Sequence, residues 1–351
     1  MLIYILFFLI IFLLSFGIRY SDKVSSKLIE FFLFFFIALF AGLRNHVGTD
    51  YNAYEEIFKD ISRYGDTSYS VEPGFHFLNS IVTYLNGGFI WLNIISAFIS
   101  SFFMFKAINF FVENQEEKWL SYIVFISIGV FFVYFFSGIR QGISISIFLF
   151  SIKYIINRRL LYYIGFIFIG SLFHSSIFFF LPLYWLPRFS INKTLVTSLV
   201  FSALILAYVG VTSFLFQYVI SLFTGGHYMG YQELFSGAAN TKTGVGVLLR
   251  IILGLFLILI SNYWVKTLKH IIIYNLFSIG LILYSFFLGV DILNRISEYL
   301  MDTLIFVLPV SLTSFTPVSR IVYVFAIIIL LIALYYSNIN FKEMNLIPYK
   351  I

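Results

Sequence analysis

Long apolar runs separated by short polar segments are the main pattern along the chain. A hydrocarbon core of about 30 Å requires about 20 helical residues, and most of these runs approach that length. The pattern predicts transmembrane helices at 2–18, 28–43, 89–111, 119–136, 140–156, 160–174, 195–216, 246–262, 271–290, 300–316 and 320–337. The sequence therefore predicts an all-α polytopic membrane protein, a single domain over residues 1–351 with about 11–12 transmembrane helices.

Two shorter apolar segments, 75–86 and 175–187, are harder to place as spans. Residues 75–86 would form a helix of only ~18 Å at 1.5 Å per residue, so we interpret them as a re-entrant or interfacial helix. Pro73 is expected to be its first helical residue. The region 160–194 forms either two short crossings, with a turn near His174 and Ser175, or one long kinked helix.

Basic residues determine the predicted orientation. The short segments 19–27, 157–159 and 263–270 are rich in lysine and arginine, which predicts that they face the cytoplasm. The segments 44–88, 137–142, 224–246 and 291–302 then lie at the outer side. The glycine-rich segment 224–246 is either a plain connector or an outer loop that contacts sugar through His227, Tyr228, Tyr231 and Gln232.

Composition narrows the class of protein. Hydrophobic residues make up 61% of the chain and charged residues only 11%, whereas soluble domains contain about 25% charged residues. The chain has no cysteine, which excludes disulfides, thiolate zinc sites and iron–sulfur clusters. We attribute the net charge of +6 to cytoplasmic loops rather than to nucleic-acid binding.

Four arginines lie at the outer ends of predicted spans, although lysine and arginine usually lie on the cytoplasmic side of membrane proteins. They are Arg44, Arg140, Arg250 and Arg295, and His174 lies at a similar predicted depth. Each arginine alone could extend its side chain to lipid headgroups. Together they favour an anion site, because the planar guanidinium binds phosphate oxygens bidentately and stays charged when desolvated. An anion at headgroup depth between apolar helices suggests a polyprenyl-pyrophosphate lipid.

The segment that follows Arg295 has a helical pattern of polar residues. Arg295, Glu298, Tyr299 and Asp302 share one face if the segment is helical. This face is either solvated, with an Arg295–Glu298 ion pair, or it lines a cavity in which Tyr299 stacks on a sugar. The outer loops contain no D-x-D or E-x-E motif, so we expect arginines rather than a metal to balance a leaving pyrophosphate.

Four motifs in the first half resemble the EpsG-like branch of the Wzy polysaccharide polymerases. They are RNHVGTDYNAYEEIF, EPGFHFLN, GIRQGISISIFLFSIKYI and LFHSSIFFFLPLY, which occur in this order over residues 40–185. The second half is similar more loosely, through NRISEY and the terminal PYK. Serine stands at 144 and 146, where the family usually has alanine.

The resemblance implies a GT-C-type membrane glycosyltransferase without a cofactor. It would transfer a growing glycan from undecaprenyl pyrophosphate to a new lipid-linked repeat unit, at the periplasmic face of the inner membrane. Besides membrane lipids, the implied partners are a Wzx-type flippase and a Wzz-type chain-length regulator. A lipid-linked oligosaccharide flippase and an O-antigen ligase remain alternatives.

The resemblance and the positions of polar residues together suggest roles in this reaction. Candidates for the catalytic base are His174, Glu72 and Asp50, and we favour His174 because of its depth near the arginines. Asp50 could instead order its loop through an ion pair with Arg44. The residues expected to bind substrate are Arg44, Arg140, Gln141, Arg250, Arg295 and Tyr299.

Overall fold

A computed structural model of the protein describes residues 1–224, 244–288 and 290–351. All regular secondary structure in these ranges is helical. Among the described residues, six helices are long and apolar enough to cross a membrane, or up to eight if each of two bent pairs is one span. The prediction of an all-α polytopic membrane protein is thereby confirmed. Residues 225–243, most of the predicted loop 224–246 with His227, Tyr228, Tyr231 and Gln232, lie outside the described residues.

The described residues divide into two compact units. The first comprises Met1–Leu186 and Leu308–Ile351, and the second comprises Pro187–Val307. The first unit begins with α1 (Leu2–Ile18), α2 (Lys23–Gly42), α3 (Tyr51–Tyr64), α4 (Pro73–Tyr84), α5 (Phe89–Phe111), α6 (Gln115–Ser127), a π-helix (Phe131–Ser137), α7 (Ile139–Ile156), α8 (Leu160–Ser171) and a 3₁₀-helix (Ser175–Trp185).

The second unit is also helical in its described part. It contains α9 (Lys193–Tyr208), α10 (Val211–Thr224), α11 (Val245–Leu259), a single turn (Ser261–Trp264), α12 (Leu268–Phe286) and α13 (Asp291–Met301). The chain continues through α14 (Leu304–Val310) and two short 3₁₀ turns that flank α15 (Pro317–Asn340). The predicted count of about 11–12 spans also includes shorter apolar helices. Four such helices occur in the described residues, namely Leu2–Ile18, Leu160–Ser171, Ser175–Trp185 and Val245–Leu259.

Two predicted spans are broken rather than straight. The span 119–136 consists of α6 and the π-helix, bent by 59°, with Gly129 between them at φ +95°. The span 195–216 consists of α9 and the start of α10, bent by 71° next to Gly210 at φ +85°. Glycine adopts this left-handed backbone without the steric cost of a Cβ atom, which explains where the bends occur.

The region 160–194 forms two short antiparallel helices. The chain reverses at His174, and the hydroxyl of Tyr163 on α8 donates to the carbonyl of Phe180 on the 3₁₀-helix at 2.6 Å. This side-by-side packing confirms the predicted turn near His174 and Ser175, and the alternative of one long kinked helix is wrong.

The segment after α2, which the charge distribution predicts at the outer side, packs around its own apolar core. Tyr54 and Ile57 on α3 lie in one buried cluster with Phe75 on α4, Phe89 on α5 and Ile139 on α7. Pro73 is the first residue of α4, as predicted. This cluster fixes the starts of α4 and α7 relative to each other, and the polar residues described below lie at these two starts.

The C-terminal tail binds the loop that contains the GTDY motif. The Asn45 amide donates to the Lys350 carbonyl at 2.9 Å, and the Gly48 amide donates to the Asn345 carbonyl at 3.1 Å. Gly48 has φ +102°, and a Cβ atom there would lie 2.2 Å from the Phe136 carbonyl oxygen. The glycine of the motif is therefore required by backbone geometry.

Candidate active site

Three parts of the first unit meet at the start of α4. The Gly74 amide donates to the Leu172 carbonyl at 2.8 Å, which joins α4 to the end of α8. A Cβ atom at Gly74 would lie 2.7 Å from that carbonyl oxygen, so only glycine permits this approach. The contact brings Glu72, just before α4, close to His174, just after α8.

Glu72 is the centre of a three-residue polar cluster. Its Oε2 accepts a hydrogen bond from Arg140 Nη1 at 2.5 Å, and its Oε1 lies 3.0 Å from His174 Nδ1. The three side chains are 17%, 24% and 30% exposed for Glu72, Arg140 and His174 respectively. We call Glu72, Arg140 and His174 the outer cluster, and it unites three of the residues predicted to act in catalysis or binding.

The surroundings favour the ionised form of Glu72. Burial raises the pKa of this carboxyl, but the hydrogen bond from His174 and the charge of Arg140 outweigh it. The pKa of Glu72 therefore lies below its ordinary value of 4.5. At neutral pH the outer cluster contains a carboxylate that accepts hydrogen bonds on both oxygens.

Glu72 also selects a tautomer of His174. A carboxylate only accepts hydrogen bonds, so Nδ1 of His174 must carry the proton when it pairs with Glu72. The other ring nitrogen, Nε2, then has a lone pair in the neutral imidazole, and it makes no hydrogen bond to another described residue. His174 is thus arranged as a proton acceptor whose orientation Glu72 holds.

Arg140 is held by aromatic rings as well as by Glu72. Its guanidinium carbon lies 5.6 Å from the ring centroid of Tyr54 and 6.0 Å from that of Phe75. Nη1 also contacts the Ser70 carbonyl at 3.4 Å. The Nε atom is buried without a hydrogen-bond partner in the described structure. An unpaired buried donor is costly, so a ligand oxygen at this position would be favourable.

Arg44 has a structural role in this arrangement. It is 1% exposed, and its guanidinium donates to the carbonyls of Val47, Phe136 and Ala41. These bonds join the end of α2 to the π-helix. A side chain enclosed in this way does not present its charge to a substrate, so the predicted binding role of Arg44 does not fit its burial.

The contacts of the two other predicted residues of the first unit, Asp50 and Gln141, do not indicate a role for them. Asp50 precedes α3 and makes no side-chain capping bond there. In the described structure Asp50 does not form the ion pair with Arg44 that the sequence suggested. Arg44 donates to backbone carbonyls instead. Gln141 is 5% exposed, one residue after Arg140.

The second unit contains a separate buried ion pair. Arg250 on α11 donates to both carboxylate oxygens of Glu298 on α13, at 2.7 Å and 2.9 Å. Its Nη1 lies 3.3 Å from the Tyr284 hydroxyl, and its Nη2 lies 3.9 Å from Asp302 Oδ1. The carboxylate of Glu298 already balances Arg250, which disfavours its predicted role as a pyrophosphate ligand.

The predicted polar face after Arg295 is helical but is not one continuous lining. Arg295 is exposed, whereas Tyr299 and Asp302 are fully buried. Glu298 pairs with Arg250 rather than with Arg295. Stacking of Tyr299 on a sugar does not fit this burial, because no ring face is accessible. The predicted role of Arg295 stays a prediction.

Sequence reasoning missed the contacts that define the outer cluster. Tyr54 and the Ser70 carbonyl adjoin Arg140, and the Ser144 hydroxyl donates to the His174 carbonyl at 3.4 Å. No sequence signal marks them apart from a tyrosine on the apolar face of α3. Within the described ranges, no group of three or more His, Asp or Glu residues is close enough to hold a metal ion.

Comparison with known proteins gives one match. The model of the EpsG family matches residues 27–351, which include the whole outer cluster and the Arg250–Glu298 pair. No curated protein and no solved structure shows a significant match.

Proposed function

Because the chain belongs to the EpsG family, we propose that it is a polysaccharide polymerase of the Wzy type. In this proposal it is a GT-C-type glycosyltransferase of the inner membrane, with its active site at the periplasmic face. It transfers the growing glycan from undecaprenyl pyrophosphate to the sugar of a new lipid-linked repeat unit. A Wzx-type flippase would deliver the repeat units, and a Wzz-type regulator would set chain length.

The outer cluster is the observation that carries this proposal. Transfer to a sugar hydroxyl needs a base, and Nε2 of a neutral His174 can accept a proton while Glu72 holds the other ring nitrogen. The leaving group needs a cation, and Arg140 lies on the opposite oxygen of the same carboxylate. A base and a cation held by one shared partner are suited to removing a proton and stabilising a leaving pyrophosphate.

The proposed step balances as follows. His174 Nε2 takes the proton of the acceptor hydroxyl as its oxygen bonds to the anomeric carbon of the donor glycan. The bond between that carbon and the pyrophosphate oxygen breaks, and undecaprenyl pyrophosphate leaves with the electron pair. Glu72 stabilises the imidazolium that forms. Arg140 stabilises the charge on the departing pyrophosphate, and the proposed mechanism uses no metal ion.

Deletion of the gene, followed by sizing of the surface glycan, tests the class of reaction. A polymerase predicts that long chains disappear while a single repeat unit is still attached. Loss of all attached glycan would instead support the ligase or flippase alternatives and would contradict our proposal.

Replacement of His174 by asparagine tests the base. Because general base catalysis contributes about 10²–10⁴-fold, H174N in the deletion strain should restore almost no long chains. The matched control is H46N, since His46 is exposed in the same outer segment and its backbone at φ +50° suits asparagine. Long chains at normal levels with H174N, in protein present at wild-type amounts, would show that His174 is not the base.

A further inference from the structure

A cavity lies in the first unit, at the other end of α5 from the outer cluster. It has a volume of about 770 Å³, within the range of small-molecule sites. The starts of α2 and α6 and the end of α5 form its walls. The outer cluster lies instead near the starts of α5 and α7, so the two sites occupy opposite ends of the same helices.

Lysines and phenylalanines line neighbouring parts of the cavity. We call Lys23, Lys27 and Lys106 the cationic zone, and Phe31, Phe34, Phe102 and Phe105 the aromatic zone. On α2, Lys27, Phe31 and Phe34 lie at i, i+4 and i+7, and on α5, Phe102 and Lys106 lie at i and i+4. Residues at these spacings share one face of a helix. Lys27 lies near the start of α2, and Lys106 lies near the end of α5. On each helix the nearest ring on the same face lies about 6 Å closer to the middle of the helix, at 1.5 Å per residue.

The charge of the cationic zone is not balanced by the protein. Glu30 lines the cavity, but the ammonium of the largely buried Lys118 lies 3.2 Å from its carboxylate and 2.7 Å from Asn109 Oδ1. Lys23, Lys27 and Lys106 are exposed, and none forms an ion pair with a described residue. These three lysines outnumber the remaining acid of the lining, Glu113.

The aromatic zone is open at the surface of the helices. Phe31 is 54% exposed and Phe102 is 47% exposed, although both line the cavity. Phe34 and Phe105 close its floor with ring centroids 5.6 Å apart, almost perpendicular to each other. Exposed phenylalanines beside lysines suit a molecule with an acyl chain and an anionic headgroup, because a soluble anion would gain nothing from the rings.

We infer that this cavity is a binding site for an anionic phospholipid. The phosphate group lies among Lys23, Lys27 and Lys106, and the first part of an acyl chain lies across Phe31, Phe34 and Phe102. The lysine-rich end of the unit is the end that charge distribution assigns to the cytoplasm. The site thus binds a structural lipid of the cytoplasmic leaflet, distinct from the glycan lipid proposed at the outer cluster.

Binding to the purified full-length protein in neutral detergent tests this site. Native mass spectrometry measures retention of dioleoyl phosphatidylglycerol, with dioleoyl phosphatidylcholine and inorganic phosphate as separate arms. The variant K27Q/K106Q removes two exposed charges and leaves the Lys118–Glu30 pair intact. The matched control K266Q/K269Q removes two lysines of another predicted cytoplasmic segment.

We expect wild type and control to retain phosphatidylglycerol in preference to phosphatidylcholine. The affinity of K27Q/K106Q for phosphatidylglycerol should fall by about tenfold or more, because each lysine near a lipid surface contributes to anionic-lipid binding. Equal retention by K27Q/K106Q and K266Q/K269Q would overturn the site. Inorganic phosphate that binds wild type and displaces no lipid would also overturn it, because the lysines would then hold a free anion.

A second variant separates the two zones. F102A shortens the aromatic zone at an exposed position, so we expect weaker retention of phosphatidylglycerol without a loss of folded protein. Unchanged retention by F102A would contradict the assignment of the acyl chain to the rings.

Discussion

Among single residues, Glu72 has the largest influence on the proposed chemistry. One oxygen accepts from Arg140 and the other faces His174, so the carboxylate must be ionised for both contacts. Its lowered pKa shows that the folded structure prefers this state. The roles of a base and a cation therefore depend on one side chain that touches both.

The lowered pKa predicts how stability depends on pH. A carboxyl whose pKa is lower in the folded state stabilises the fold above its ordinary value of 4.5, and the contribution is lost as the pH falls through the lowered value. At pH 7, E72Q should reduce the free energy of unfolding by about 1–3 kcal/mol, since hydrogen bonds to a charged group are lost. Thermal unfolding in detergent from pH 7 to pH 3 should show this difference shrinking below pH 4.5.

The matched control for this measurement is E55Q. Glu55 lies on α3, where its only described ion pair is with the half-exposed Lys59, so its replacement should change stability little. A difference between wild type and E72Q that stays constant down to pH 3 would contradict the described environment of Glu72.

For single residues, the sequence predicted which side chains are candidates for the site, but it did not predict which of them contact each other. Arg140, Glu72 and His174 were all identified as candidates, yet Arg140 and His174 lie 68 and 102 positions from Glu72 in the chain. Arg44 is enclosed by backbone carbonyls, and Arg250 donates to both oxygens of Glu298. Arg140 contacts a single oxygen of Glu72 and is more exposed than Arg250, at 24% against 11%. Only the fold distinguishes an arginine available to a ligand from one that is already satisfied.

Helix positions were easier to predict than helix shapes. The limits of α1, α5 and α7 agree with the apolar runs within one residue. The breaks near Gly129 and Gly210 were not predicted, since glycine is also tolerated within straight membrane helices. A bend depends on backbone dihedral angles, which hydrophobicity does not report.

The packing of α7 against the π-helix leads to a prediction for the RQG motif. A Cβ atom at Gly142 would lie 2.3 Å from the Tyr134 carbonyl oxygen, so alanine requires a backbone shift. G142A should lower stability by about 1–3 kcal/mol or more, as overpacking does elsewhere. The measurement is the thermal unfolding midpoint of the purified protein.

Gly165 on α8 provides the control for this substitution. It is also a helical glycine, and nothing lies within 4 Å of a Cβ atom built there. G165A should leave the midpoint unchanged or raise it, because alanine is the better helix former. If both variants unfold at the same temperature, the close approach of α7 and the π-helix is not as described.

At the scale of the whole molecule, opposite ends of the first unit are proposed to bind different lipids. The outer cluster is proposed to act on a polyprenyl pyrophosphate, and the lysine-lined cavity is proposed to hold a phospholipid. The second unit contributes a buried ion pair whose charges are mutually balanced. The match to the EpsG family covers nearly the whole chain. The apolar helices of the described residues agree with the fold class that hydrophobicity predicted.

Replacement of Arg140 by lysine tests directly whether this arginine binds the leaving pyrophosphate. Lysine keeps the positive charge but cannot reproduce the planar, two-pronged contact with a pyrophosphate. In the deletion strain, R140K should reduce long-chain glycan by about 10–100-fold at equal protein level, whereas R63K, at an exposed arginine of α3, should restore it fully. Long chains of normal length and amount with R140K would contradict the proposal that Arg140 binds the leaving pyrophosphate.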